Sequence, residues 1–313
     1  MYQTPTGTRD VLHDELRELR AITDALRAVY EDRGYGEVRT PAIEFEDVLR
    51  RGATGVEPGY RVFDDHGNVM ALRPDMTVPI ARLAATRFAT ADPPLRFSYL
   101  AHVYRGVRPN RGEARELHQS GIELIGAAAP TGTVEALTVL CAALDATGLA
   151  GYRIALGSAA VYPRLLDSLG VAPEDREVLL AALGSGDFVA LEREVDERQL
   201  DRQLLTVPQL RGDRTVLDAL PGDEARGLRD VVAALEPAVA DRVVLDLSLA
   251  RGIGYYTGAV FDVLHPAVGA SLGGGGRYDD LLGRFGRALP AVGFALQVDQ
   301  LHFALAAQER RAQ

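Results

Sequence analysis

Between Leu249 and Leu301 the chain carries three glycine-punctuated stretches. They are L-A-R-G-I-G-Y-Y-T-G-A-V-F from Leu249 to Phe261, G-G-G-G-R-Y-D-D-L-L from Gly273 to Leu282, and G-F-A-L-Q-V-D-Q-L from Gly293 to Leu301. Four successive glycines ahead of R-Y-D-D-L-L suit a strand that must let another backbone or a ligand come close, since glycine presents no Cβ. They do not read as a phosphate-cradling P-loop. That loop requires a lysine, and all 34 basic residues of this 313-residue chain are arginines. Lysine Schiff-base chemistry is excluded on the same ground.

Around these stretches the pattern interleaves helices and strands. Asp14 to Asp32 places Leu16, Leu19, Ile22, Leu26, Val29 and Tyr30 at the spacing of one helical face, with Gly34 as the stop. Strand-like runs follow at Val38 to Thr40, where Pro41 ends the strand, then at Val69 to Leu72, Leu95 to Tyr104 and Gly121 to Ile125. A helix is expected over Thr133 to Thr147 and a strand over Tyr152 to Leu156. From Val161 to about Ala240 the chain turns rich in Leu, Ala, Glu and Arg, with breaks at Gly184-Ser185-Gly186 and Leu220-Pro221-Gly222. Strand pattern resumes at Val243 to Leu247 and runs into the glycine stretches through Phe294. A helix from Val298 to Arg310 comes last, and Gln308 to Gln313 reads as a frayed tail.

Composition narrows the classes. An apolar share of 47% with 25% charged residues is that of an ordinary globular chain able to bury a full core. No apolar run approaches the ~20 residues that span a bilayer, and the N-terminus lacks a basic-then-apolar leader, so no membrane association and a cytoplasmic location are expected. The single cysteine, Cys141, lies in a helical run and reads as a small buried filler. A net charge of −10 argues against an extended phosphate-binding surface, and no nucleic-acid partner is expected. His118 is read as structural: alternation turns it to the face opposite Gln119. His13, His66, His102, His265 and His302 are scattered, so no metal site and no cofactor are expected.

The Leu249 and Gly273 stretches resemble the signature of histidyl-tRNA synthetase, a class II aminoacyl-tRNA synthetase, and the Gly293 stretch resembles that fold's third motif. Three earlier segments match in order. T-G-T-R-D-V-L with G-Y-G-E-V-R-T-P-A-I-E resembles the opening and first motif, A-L-R-P-D-M-T-V-P-I-A-R (Ala71 to Arg82) the segment that supplies an acid and a threonine, and Val103 to Gly126 the second motif. The resemblance implies an α+β fold: a class II synthetase-like core with a mainly antiparallel sheet flanked by helices, and a helical insertion. It implies a histidine-binding core over 1–160 and 241–313, the insertion over 161–240, and no anticodon-binding domain.

Free histidine offers a carboxylate, an ammonium and an imidazole, so a selective site needs a cation, an acid or amide cluster, and a carboxylate with a hydroxyl for the ring. By resemblance Asp75, Thr77 and Gln119 would hold the ammonium, and Arg105 and Arg251 would lie near the carboxylate. Glu123 and Tyr256 would bond the ring nitrogens, with Tyr255 and Tyr278 walling the ring. The residues alone leave plainer roles open: Arg105 as half of an ion pair with Asp75 or Glu123, and Tyr255-Tyr256 as ordinary sheet residues.

The nucleotide half departs from the family. Its adenine-reading glutamate falls on Val107, a triphosphate-touching arginine on Glu113, and the third-motif arginine on Gln300, while L-D-Y-Y becomes Ile253-Gly254-Tyr255-Tyr256. Adenylation depends on polar and charged clamps around the nucleotide, so such a chain is expected not to catalyse it. These features resemble the regulatory subunits of ATP phosphoribosyltransferase, which act at the first step of L-histidine biosynthesis. That likeness implies a non-catalytic subunit that dimerises within a hetero-oligomer with short-form catalytic subunits, allowing their activation, with L-histidine as feedback effector. An atypical synthetase-like amino-acid-activating enzyme and a tRNA- or histidine-sensing module are the alternatives.

Overall fold

The computed structural model describes residues 3–52, 59–106, 114–220, 222–249 and 254–312. The chain alternates strands β1 (Gly36–Glu37), β2 (Ile43–Phe45), β3 (Arg61–Phe63), β4 (Val69–Leu72), β5 (Leu95–Tyr104), β6 (Glu116–Ile125), β7 (Arg153–Ser158), β8 (Arg211–Gly212), β9 (Val243–Asp246), β10 (Ala259–Leu264), β11 (Gly273–Arg277) and β12 (Ala291–Gln297) with helices. Nine of these strands form one sheet in the order β1-β5-β6-β12-β11-β10-β7-β9-β8. Its β1–β5 and β7–β9 pairs are parallel and the rest antiparallel. The expected α+β, mainly antiparallel architecture is thus the one observed. β2, β4 and β3 make a separate small sheet.

Helix α1 (His13–Asp32) buries Leu19, Ile22, Leu26 and Tyr30, the stripe its periodicity demands, whereas Leu16 at its first turns stays exposed. It ends as expected at Gly34, whose φ of +78° suits glycine, and the Tyr35 amide returns to the Tyr30 carbonyl at 2.9 Å. With α4 (Thr131–Ala146) and α11 (Val298–Ala312), α1 covers one face of the large sheet. Side chains alternate across a strand, so Ile122 and Leu124 of β6 join this core with Leu137, Leu140 and Phe294, and Cys141 packs among them as a buried filler. Residues of the other parity, Gln119, Gly121 and Glu123, face away from it. On that side α3 (Thr77–Thr86), α2 (Glu46–Gly52) and the small sheet build a second cluster around Met76, Ile80, Phe97, Tyr99, Tyr255 and Tyr278.

Residues 161–240 hold α5 (Val161–Ser168), α6 (Pro173–Ser185), α7 (Phe188–Glu197), α8 (Gln203–Thr206), α9 (Arg226–Ala234) and α10 (Pro237–Ala240). Gly186 caps α6 in the left-handed conformation at φ +69°, where a break is expected. The stretch also donates β8, which pairs antiparallel with β9 at the edge of the sheet, and Leu165, Leu191 and Leu228 join the core under α1 and α4. Pro221 lies outside the described residues.

Most boundaries fall within two residues of the sequence pattern, and three places depart further. Val38 to Thr40 is not strand; only the Val38 amide still reaches Ser98, and Thr40 turns its hydroxyl and carbonyl to buried Arg73. β6 starts five residues earlier than Gly121, because Glu116 to Ser120 continue the pairing with β5. Gln308 is no frayed tail. Its side chain accepts from the Ala150 amide at 2.8 Å and donates to the Gly148 carbonyl at 2.9 Å, pinning α11 to the turn after α4.

Candidate functional site

The face of the large sheet not covered by α1, α4 and α11 forms a cleft of about 410 Å³. Of the sequence-predicted residues, Asp75, Thr77, Arg105, Gln119, Tyr255, Tyr256 and Tyr278 line it, and Glu123 lies beneath them. Arg251, Val107 and Glu113 lie outside the described residues. Gln300 does not border the cleft; it sits half-buried in the first turn of α11, beside Asp299, which pairs with Arg9 at 2.6 Å.

Glu123 is the centre of the arrangement. Position 123 is near the C-terminal end of β6, paired with Phe97 of β5 on one side and Gly293 of β12 on the other, and the residue is 2% exposed. Its carboxyl accepts from the Thr77 hydroxyl at 2.7 Å and from the Tyr278 hydroxyl. Burial pushes its pKa up to about 8 against the two hydroxyl donors that favour ionisation, and the neighbouring Asp75 adds to the rise. Glu123 therefore holds its proton at neutral pH. Tyr278, expected as a wall, is also a polar partner of the carboxyl, because the chain after β11 aims its ring under β6. Thr77, expected at the ammonium, spends its proton on Glu123, since the start of α3 faces β6.

Asp75 accepts from the Val78 amide at 3.0 Å and so satisfies an open donor at the start of α3. Burial raises its pKa, while that amide and the Arg105 charge hold it down. Arg105 is exposed at the end of β5 and donates through Nε to the Pro74 carbonyl at 3.1 Å; it acts on Asp75 by charge across a distance, not in a direct pair. The rings of Tyr255 and Tyr256 meet edge to face at 5.0 Å, and Tyr255 meets Tyr278 at 5.7 Å. Desolvation lifts all three phenols above their usual range, so they remain donors at any ordinary pH.

Sequence reasoning missed several residues of the cleft. Tyr99 of β5 lies at its floor, and Gly293 leaves the space that the Glu123 carboxyl fills. Asp262 and Ser271, hydrogen-bonded to each other, sit at the opposite end with Gln297, which pairs with Gln119 across β12 and β6. Strand alternation in A-V-F-D-V-L carries Asp262 to the same face as Val260 and was the available signal. His118 stacks on His102 at 4.5 Å on the opposite face of β6, away from the cleft, and burial lowers its pKa. Among the described residues, no group of three or more His, Cys, Asp or Glu is placed to hold a metal ion, and no helix is long and apolar enough to cross a membrane. A wider groove between α5 and the turn before α9 is a surface depression whose Arg164, Asp167, Asp223 and Arg226 are remote from the cleft.

An antiparallel sheet with one face under helices and the other carrying a carboxyl-centred, tyrosine-walled cleft defines a protein of the class II aminoacyl-tRNA synthetase fold. Residues 7–301 match the family model described as histidyl-tRNA synthetase. The ATP phosphoribosyltransferase regulatory subunit of Symbiobacterium thermophilum is 41% identical, covering 99% of this chain and 80% of that protein, and its namesake in Moorella thermoacetica is 40% identical over 96% and 81%. A crystal structure from Bacillus halodurans, described as an ATP phosphoribosyltransferase regulatory subunit/histidyl-tRNA synthetase, superposes with a TM-score of 0.88 at 30% identity, covering 97% of this chain and 83% of that one. The chain belongs to the histidyl-tRNA synthetase family and, within it, to the ATP phosphoribosyltransferase regulatory subunits.

Proposed function

We propose that this chain is the non-catalytic, regulatory subunit of an ATP phosphoribosyltransferase in L-histidine biosynthesis, and that the cleft binds free histidine as the feedback effector. The observation that carries the ligand assignment is the buried Glu123 carboxyl with Thr77, Tyr278 and the Tyr255-Tyr256 pair around it. An imidazole can both donate to and accept from such a group, and the tyrosine rings supply apolar walls for its faces. Asp75, with Gln119 and the Thr77 oxygen, is the acidic cluster for the ammonium, and Arg105, with Arg251, the cation for the carboxylate. Support for the partner comes from the names of the relatives, each a regulatory subunit of that transferase. The partner is a short-form catalytic subunit, and this chain self-associates as a dimer within their hetero-oligomer.

Replacement of the family's nucleotide contacts by Val107, Glu113 and Gln300 supports a subunit without adenylating activity. Calorimetry on the purified chain tests both halves: heat from L-histidine and none from MgATP is expected. Activity of an added short catalytic subunit should become histidine-sensitive in its presence. Histidine-dependent pyrophosphate exchange by the chain alone, or tight MgATP binding with no histidine heat, overturns the proposal.

A further inference from the structure

We propose that Gly293, with Gly276 beside it on β11, is a positioning residue for the effector cleft: its missing side chain is the space that lets Glu123 lie across β12 and present its carboxyl to the ligand. This rests on the histidine reading of the cleft. Register puts the three residues in one row on the cleft face, Gly276 opposite Gly293 and Gly293 opposite Glu123. A Cβ built at position 293 would stand 1.9 Å from Glu123 Oε2 and 2.7 Å from its Cδ, closer than a real Cβ comes to a non-bonded atom. At position 276 a Cβ would come 2.8 Å from the Ala259 carbonyl oxygen and 3.0 Å from Cδ1 and Cε1 of Tyr256. One glycine therefore floors the carboxyl and the other floors the ring beside it.

The consequence is geometric. From its strand position Glu123 reaches both the Thr77 hydroxyl, at 2.7 Å, and the Tyr278 hydroxyl, because its side chain can lie flat over β12. The flanking residues Val292 and Phe294 point to the other face and join the helix-side core, so position 293 alone determines whether that path is open. A methyl there drives the flexible end of Glu123 off both hydroxyls. It also presses the Ile122 carbonyl, 2.5 Å from the built Cβ, which adds a backbone cost independent of Glu123.

A double-mutant cycle on the full chain separates these effects, using Gly293→Ala, Glu123→Ala and the double variant, with L-histidine titration and urea unfolding as readouts. Each single change is expected to weaken histidine binding roughly five- to a hundredfold, the range for leaving a buried donor or acceptor unpaired. The double variant should bind no worse than either single one, and should recover part of the stability lost in Gly293→Ala, because the methyl then fills the room the carboxyl has left. Failure of Gly293→Ala to fold while the double variant folds supports the proposal equally. Losses that multiply in the double variant, wild-type affinity in Gly293→Ala, or failure of both Gly293 variants to fold overturns it. Wild-type protein that does not bind histidine, or that is unaffected by Glu123→Ala, instead removes the histidine reading, and the stability coupling still decides the positioning role.

Discussion

Glu123→Gln is the perturbation that isolates the most unusual group in the cleft. The folded protein holds the Glu123 proton until about pH 8, whereas an unfolded chain releases it near 4.5. Between those values the unfolded state binds fewer protons than the folded one, so the sign is fixed: stability falls as pH rises through this window and levels off above it. At ~1.4 kcal/mol per pH unit crossed, the window is worth about 5 kcal/mol. That is a large share of the ~5–15 kcal/mol that holds a typical domain together. Gln keeps the shape and carries no titrating proton; its one oxygen accepts from one of the Thr77 and Tyr278 hydroxyls, and the other hydroxyl must turn to accept from the amide NH2, an offset that does not vary with pH. The other groups facing Glu123 do not mimic its titration: the phenols of Tyr99, Tyr255, Tyr256 and Tyr278 are pushed above their usual range, and Asp75, also raised by burial, is common to both proteins. Urea unfolding from pH 5 to pH 9 at fixed protein concentration, which holds any self-association constant, gives the two curves. The wild-type stability should descend toward alkaline pH relative to the Gln variant. Curves that run parallel across the window would show that Glu123 is ionised in the folded protein and refute the reasoning.

Two further outcomes follow from the same residues. Asp75→Ala removes the acceptor of the Val78 amide at the start of α3 and should cost ~1 kcal/mol, seen as a lowered melting temperature, while Asp75→Asn should retain most of it; equal melting points for wild type and Ala would show the bond to be idle. On the histidine reading, a neutral ligand ring meeting a protonated Glu123 needs no exchange with solvent, so titrations at pH 7.2 in buffers of different ionisation heat should give the same apparent enthalpy; uptake of about one proton would mean that the free cleft holds a carboxylate.

Local pattern carried far in this chain where one periodicity dominates. β5 runs from Leu95 to Tyr104, as its alternation dictates, and the Leu19–Ile22–Leu26–Tyr30 stripe marks the buried face of α1. It failed where polar residues continue a strand for tertiary reasons. The strand-like run begins only at Gly121, yet Glu116 to Ser120 continue it, with His118 stacked on His102 and Gln119 buried in the cleft, because β5 supplies partners that no local window contains. Motif likeness found Glu123, Thr77 and Tyr256, but not that Thr77 and Tyr278 converge on Glu123. Such convergence depends on α3 and the end of β11 meeting β6 from distant parts of the chain. Gly293 was harder still, since its contribution is an empty volume that exists only once β12 lies beside β6.

The same convergence bears on how an occupied cleft could be felt elsewhere. Glu123 ties three elements at one point: β6 through its backbone, α3 through Thr77 and the β11 exit through Tyr278. α3 begins at the Asp75 contact and packs on α2 and on the turn of Leu282–Phe285, where Arg284 donates to the Gly52 carbonyl at 3.0 Å. Both hydroxyls spend their protons on the carboxyl. On the histidine reading, a ring nitrogen that engages Glu123 joins a carboxyl already bonded to the Thr77 and Tyr278 hydroxyls. A ligand shifts a protein only through contacts that differ between its states. Thr77 is the contact placed to differ, because a change in its bond is delivered to the first turn of a helix whose far side leads out of the cleft to α2. Glu123 thus joins β6 to α3 and to the β11 exit through two hydroxyl bonds, and on the histidine reading a ligand bonded to its carboxyl meets the first turn of α3 at Thr77.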